Sequence, residues 1–118
     1  MGNDFQALTE SLRRFTAERD WEQFHSPKNL AMALAAETGE LLEHFQWLTE
    51  AQSRDLPPDK KARVAEEIAD VQNYLIRLAD QLGIDIPAAA HAKIRQNEAK
   101  YPANKVRGDA RKYNEYGS

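Results

Sequence analysis

Val64-Ala65-Glu66-Glu67-Ile68-Ala69-Asp70-Val71-Gln72-Asn73-Tyr74-Leu75-Ile76-Arg77-Leu78-Ala79-Asp80-Gln81-Leu82 is the stretch that decides how this chain folds. Val64, Ile68, Val71, Leu75, Leu78 and Leu82 fall at alternating four- and three-residue steps, the repeat that turns one face of an α-helix towards a core, and Gly83 stops it. Alanines and Ile76 lie on a second side, so this helix is expected to pack against another subunit as well.

Upstream, a polar linker ends in Leu56-Pro57-Pro58. Before it, Ser26-Pro27 reads as an N-cap followed by proline at the first helical position, predicting a helix from there to about Leu48. Phe5, Leu8, Leu12 and Phe15 recur at helical spacing and predict another, which stops in the irregular residues 19–26. Downstream, Asp85 and Pro87 open a fourth helix, expected to end near Tyr101-Pro102. The expected fold is all-α: a four-helix-type bundle over residues 1–102, followed by a charged tail, residues 103–118, expected to be mobile in the free protein.

With 118 residues and 42% hydrophobic content, the chain suits one core rather than two. It holds no apolar run long enough for a bilayer and no secretory-type N-terminal stretch, so a cytoplasmic protein with no membrane partner is expected. Cysteine is absent, which excludes disulfides and thiolate metal sites. A net charge of -3, with no dense basic block, argues against nucleic acid as a partner. A polyphosphate substrate would need a metal to enter.

Four acids occupy unusual places. The apolar seam of the second helix runs Leu30, Leu34, Glu37, Leu41, Phe45, Leu48, so a glutamate interrupts it. At ~100° per residue Glu40 lies on the flank, roughly 60° from Glu37. In the third helix Glu67 and Asp70 share one flank of the seam, with Tyr74 following on that side. If the two helices are antiparallel neighbours, the two i,i+3 pairs face each other. Close carboxylates repel by ~3 kcal/mol per pair at an effective dielectric of about 20. A hard divalent ion, Mg²⁺ or Mn²⁺, resolves the conflict and takes further ligands from a substrate's phosphates. Either acidic pair alone reads as ordinary helix decoration; two pairs, one inside a seam, favour ligation.

Around these acids, Trp47 projects to the flank of Glu40 about two turns further on, which suits either stacking on a base or capping the end of the core. Trp21 and Phe24 belong to the aromatic connection between the first two helices, which suits either a base pocket or a cap on the core. His25 and His44 are equally open, and His91 reads as a bystander on an alanine-rich face. On the fourth helix the stripe begun by Ile86 and Ala90 continues as Lys93, Asn97 and Lys100, which suits phosphates or a solvated helix end. Arg111 and Lys112, in the tail, are candidates to fold over a triphosphate.

The chain resembles the all-α NTP pyrophosphatase superfamily, the MazG-like proteins, in their dCTP pyrophosphatase branch. The likeness rests on E-x-x-E as Glu37-Thr38-Gly39-Glu40 and E-x-x-D as Glu67-Ile68-Ala69-Asp70. It extends to residues 15–25, Ser26-Pro27-Lys28-Asn29-Leu30, Phe45-Gln46-Trp47 and Lys100-Tyr101-Pro102, covering nearly the whole chain. The resemblance implies Mg²⁺-dependent release of pyrophosphate from a nucleoside triphosphate and a homo-oligomer, dimer or tetramer, with sites at subunit contacts. It also implies Glu37, Glu40, Glu67 and Asp70 as catalytic metal ligands, and Trp21, Trp47 and Tyr74 around the nucleoside. Lys93, Asn97 and Tyr101 match substrate-contacting positions, the lysine on phosphate. One departure is Leu12, where close relatives can carry a base-lining histidine.

Two rival readings stand beside this one. A redox di-metal bundle draws on repeated Glu-x-x-His pairs, of which only Glu22-Gln23-Phe24-His25 is present, across an expected loop. A non-enzymatic helical interaction module would use Trp21 and Trp47 as anchors for a partner.

Overall fold

The computed structural model describes residues 3–110, and every regular element among them is helical. They are α1 (Asn3–Glu18), a 3-10 turn (Glu22–Phe24), α2 (Pro27–Glu43), α3 (Glu50–Ser53), α4 (Pro58–Leu82), α5 (Ile86–Lys100) and α6 (Ala103–Val106). None is long and apolar enough to cross a membrane. Arg111 and Lys112 lie outside the described residues.

The chain divides into two compact units, one up to Ile84 and one from Asp85 onward. In the first, α4 packs against both α2 and α1. Contact between His25, just before α2, and Arg77, together with the approach of Glu37 to Glu67 and Asp70, means that α2 and α4 run antiparallel. The buried apolar core is small: Leu30, Val64, Ile76 and Ala79. Ile76, expected on a side free for another subunit, is 1% exposed within this chain, because α4 is covered from two directions. Of the predicted seam, Val64 is buried, Val71, Leu75 and Leu78 are half-buried, and Ile68 and Leu82 are exposed.

Local chemistry sets the helix ends. Ser26 accepts a hydrogen bond from the Asn29 N–H at 3.1 Å, with Pro27 in the first turn, as the sequence predicts. Asp85 does the same for the Ala88 N–H at 2.9 Å. Gly83 closes α4 at φ 67°, and the following Ile84 N–H reaches back to the Ala79 carbonyl at 2.8 Å. Asp20 takes the same left-handed conformation at φ 54° behind α1, turning the chain so that the Trp21 N–H donates to the Thr16 carbonyl at 3.0 Å.

The second helix does not reach Leu48. It ends at Glu43 and unwinds into successive turns, with His44, Phe45 and Leu48 each donating three residues back. The cause lies ahead of the break: Thr49 is extended (ψ 164°) and forms a capping box with Gln52, which starts α3 inside the expected linker. A cap needs non-helical backbone, so the preceding helix has to stop first. The first residues of the expected tail form a helical turn, α6.

Candidate functional site

The antiparallel pairing of α2 and α4 brings carboxylates together at mid-length. Glu37, Glu67 and Asp70 each offer an oxygen within 4.8 Å of the others, Glu37 and Glu67 half-buried and Asp70 exposed. Glu37 Oε2 and Glu67 Oε2 are fully enclosed and have no hydrogen-bond partner. Such groups are normally satisfied, because an enclosed oxygen without a donor forfeits its hydration. Burial, followed by the adjoining carboxyls of Glu40 and Glu67 and the charge of Asp70, pushes the Glu37 carboxyl up to about 7. Glu40 thus neighbours the cluster from the exposed flank of α2, without being one of its three converging members.

This donor set fits a hard divalent cation. All the donors are carboxylate oxygens, two of them orphaned in a way that a cation would relieve and a protein N–H does not. Among the described residues His25 is not part of this group, and its Nδ1 faces Arg77.

Asp70 has a second neighbourhood. It lines a cavity of about 520 Å³ between α1 and α4, together with Trp21, His25 and Tyr74. The structure thus gathers three of the residues singled out as substrate contacts around one acid of the cluster. Leu8, Leu12 and Phe15 form the opposing wall. The apolar stripe of α1 therefore faces an open space: Leu8 stays 45% and Phe15 44% exposed. Trp21 meets Phe15 edge to face at 5.7 Å, and Arg19 covers the Phe15 ring at 3.7 Å. Leu12 stands in the wall as an apolar residue.

Trp47 lies beyond the end of α2 and is 86% exposed, so the helical projection beside Glu40 does not hold. Lys93 and Asn97 lie on α5, and Tyr101 is its C-terminal cap, all in the second unit.

Sequence reasoning missed Thr16, Asn73 and Arg77. Thr16 and Arg77 are polar yet 1% and 4% exposed, and all three line the cavity. Arg77 donates from Nη1 to Asp80 at 3.2 Å and from Nε to His25 Nδ1 at 3.4 Å. Asp80 is also gripped by both Nε and Nη2 of Arg13, and these guanidinium contacts hold its carboxyl below the usual range. The available signal was Arg77 at i+3 from Tyr74, on the same helical flank.

Two antiparallel helices that bring three carboxylates together beside an aromatic cavity make up the candidate site. Residues 32–116 match the MazG-like family, and the chain belongs to it. It is 45% identical over 112 residues to human dCTP pyrophosphatase 1, covering 90% of this chain and 66% of that protein. The mouse dCTP pyrophosphatase 1 is 46% identical over 110 residues, covering 88% and 65%. The chain thus spans just under two thirds of the length of these relatives. Among solved structures, a pyrophosphatase from Archaeoglobus fulgidus superposes with a TM-score of 0.78 at 41% identity, covering 82% of this chain and 91% of that one.

Proposed function

We propose that this chain is a Mg²⁺-dependent nucleoside triphosphate pyrophosphohydrolase that cleaves dCTP, or a modified deoxycytidine triphosphate, to the monophosphate and pyrophosphate, cleansing the cytoplasmic nucleotide pool. The observation that carries the reading is the junction at Asp70, where a cluster of carboxylates with orphaned oxygens meets an aromatic cavity of nucleoside size. Kinship with proteins named pyrophosphatases supports it.

Glu37, Glu67 and Asp70, with Glu40, would hold Mg²⁺ or its substitute Mn²⁺. When bound, such an ion supplies neutralisation of the phosphate charge and acidification of a water. Trp21 and Tyr74 stack on or flank the base, with His25 beside them and Trp47 contributing in the assembled protein. Lys93, Asn97 and Tyr101 contact phosphates, with Arg111 and Lys112 as further candidates. Water attacks the α-phosphorus in line, the bond to the pyrophosphate oxygen breaks, and the water's proton passes to a carboxylate. Glu37 suits that role through its enclosed position in the cluster.

A homo-oligomer, dimer or tetramer, belongs to the same proposal. Met32, Leu42, Phe24, Trp47 and Ile68 are all more than half exposed in the single chain, a large apolar surface for a protein this size.

The test is release of pyrophosphate from a panel of canonical and modified dNTPs and NTPs with Mg²⁺, run in ¹⁸O-labelled water. The expected result is cleavage of deoxycytidine triphosphates with the label in the monophosphate. Label in pyrophosphate refutes attack at the α-phosphorus, and a silent panel refutes the activity.

A further inference from the structure

Apolar packing does not hold the turn behind α1 in place. None of Glu22, Gln23 or Phe24 is buried, and Trp21 and Phe24 are 45% and 58% exposed. A segment with so few buried contacts moves unless polar ties fix it. Within the turn, the Phe24 N–H donates to the Trp21 carbonyl at 2.9 Å and the His25 N–H to the Glu22 carbonyl at 3.1 Å, which couples Trp21 to His25. Outside it, the Trp21 N–H is held by the Thr16 carbonyl of α1, and the Phe24 carbonyl accepts from Asn29 Nδ2 of α2 at 3.0 Å.

Among the described residues, the polar tie from the turn to α4, the helix that carries Glu67, Asp70 and Tyr74, runs through side chains alone. Arg77 Nε donates to His25 Nδ1 at 3.4 Å, across 52 residues of sequence. Arg77 is 4% exposed and has little surface to offer a ligand. It is set by Asp80 at 3.2 Å, and Asp80 by both Nε and Nη2 of Arg13 on α1. Burial first, then the guanidinium charge, lowers the affinity of His25 for a second proton, which keeps Nδ1 an acceptor. Charge-assisted bonds joined in this way have a defined geometry that a single exposed contact lacks.

We infer that Asp80 and Arg77 are positioning residues, which act through His25 to hold the Trp21 turn against α4 and so set how tightly the nucleotide is bound. This rests on the pyrophosphohydrolase reading and extends it beyond the site, since Asp80 is not in the cavity lining. With the turn ordered on folding, its ordering does not count against binding. Loosening it therefore weakens binding more than it slows the step at the metal, and appears in KM more than in kcat.

The experiment measures KM and kcat with Mg²⁺ for the best-cleaved triphosphate of the panel, expected to be dCTP. The wild type, His25→Leu, His25→Asn and Asp80→Asn are compared, each shown to be folded under assay conditions by a cooperative urea transition. Leucine removes the acceptor, whereas the amide oxygen of asparagine can stand in for Nδ1. KM should rise roughly 10-fold in His25→Leu and about 3-fold in Asp80→Asn, with smaller changes in kcat, and His25→Asn should return KM towards the wild-type value. A role in stability alone would lower kcat through loss of folded enzyme and leave KM where it was. In metal-free protein labelled with fluorotryptophan, the Trp21 resonance, assigned by its loss in Trp21→Phe, should move in Asp80→Asn, a change that removes no ring. A wild-type KM in His25→Leu or Asp80→Asn, or an unmoved Trp21 resonance, overturns the positioning role while leaving pyrophosphate release standing. His25→Asn as weak as His25→Leu does the same, because the imidazole itself would then be on the nucleotide. A wild type that hydrolyses no triphosphate of the panel overturns the functional reading and this inference with it.

Discussion

α4 carries two charged clusters that treat burial in opposite ways. At Glu67 and Asp70 it meets Glu37, and like charges converge with two enclosed oxygens unpaired. Two turns on, at Arg77 and Asp80, opposite charges converge, and the carboxylate is gripped by guanidinium groups from α1 and α4. The second cluster largely settles its electrostatics within the chain and so holds the helices together. The first does not, and that deficit is what the proposed cation would relieve.

The contrast breaks most visibly through the acids. Glu67→Gln and Glu37→Gln should each reduce pyrophosphate release by about 100-fold or more, as loss of a metal ligand or base does. Both should also abolish the rise in Tm that Mg²⁺ or Mn²⁺ gives the wild type. Without metal, Glu37→Gln should be at least as stable as the wild type in urea, since it removes a carboxylate its neighbours repel. A metal-free Glu37→Gln clearly less stable than the wild type would mean that the cluster is structural after all.

The opposite outcome is expected two turns along. Asp80→Asn leaves Arg77 buried beside a weaker acceptor and should cost about 2–3 kcal/mol in urea unfolding, the lower end for a broken buried pair because Asp80 keeps some water contact. Metal-induced stabilisation should survive. A neutral Asp80→Asn would show that the cluster does not brace α1 against α4.

Acid and base should separate the clusters next. Glu37 holds its proton up to about 7 in the folded chain against 4.5 for a free glutamate. Between those values Glu37 binds more protons in the folded state than in the unfolded one, so its contribution to metal-free stability is largest below pH 4.5 and declines as pH climbs to 7. Asp80 runs the other way: its carboxyl is lowered from 3.8, so its contribution is present above that value and is lost on further acidification. Urea unfolding with a chelator should show the first slope in the wild type and not in Glu37→Gln.

Which parts of this were legible in the sequence follows from what periodicity can carry. Glu37 inside the stripe of Leu34 and Leu41 is a one-dimensional signal, and the facing of Glu37 with Glu67 and Asp70 needed only the assumption that two helices pair antiparallel. Trp47 was misplaced because projection along a helix holds only while the helix lasts; the Thr49-x-x-Gln52 capping box that ends it is local and readable, and marks the stop. Arg77 was harder to read for another reason. Arg77 and Asp80 at i,i+3 look like any surface pair, and their burial follows from the packing of α1 on α4 and from the turn at Asp20 that brings Trp21 and His25 round. The spacing of Leu8, Leu12 and Phe15 predicts a helix whether they face a core or a cavity, so the wall they form was not readable from it.

The smallest expected effect asks which arginine matters to Asp80. Arg13 makes the better-shaped contact, with Nε at 2.8 Å from Oδ2 and Nη2 on Oδ1, but its side chain is 57% exposed. Arg77 makes one longer contact at 3.2 Å from a side chain that is 5% exposed. In water a guanidinium loses little on leaving its carboxylate, because solvent replaces the partner, whereas a buried one has no such replacement. Arg13→Ala should therefore shift the urea midpoint only slightly, and far less than Asp80→Asn. The double variant should be about as stable as Asp80→Asn alone, because Arg13 acts through that carboxylate. If Arg13→Ala matched Asp80→Asn in cost, contact geometry rather than burial would govern this cluster, and the physical contrast with the acids would weaken.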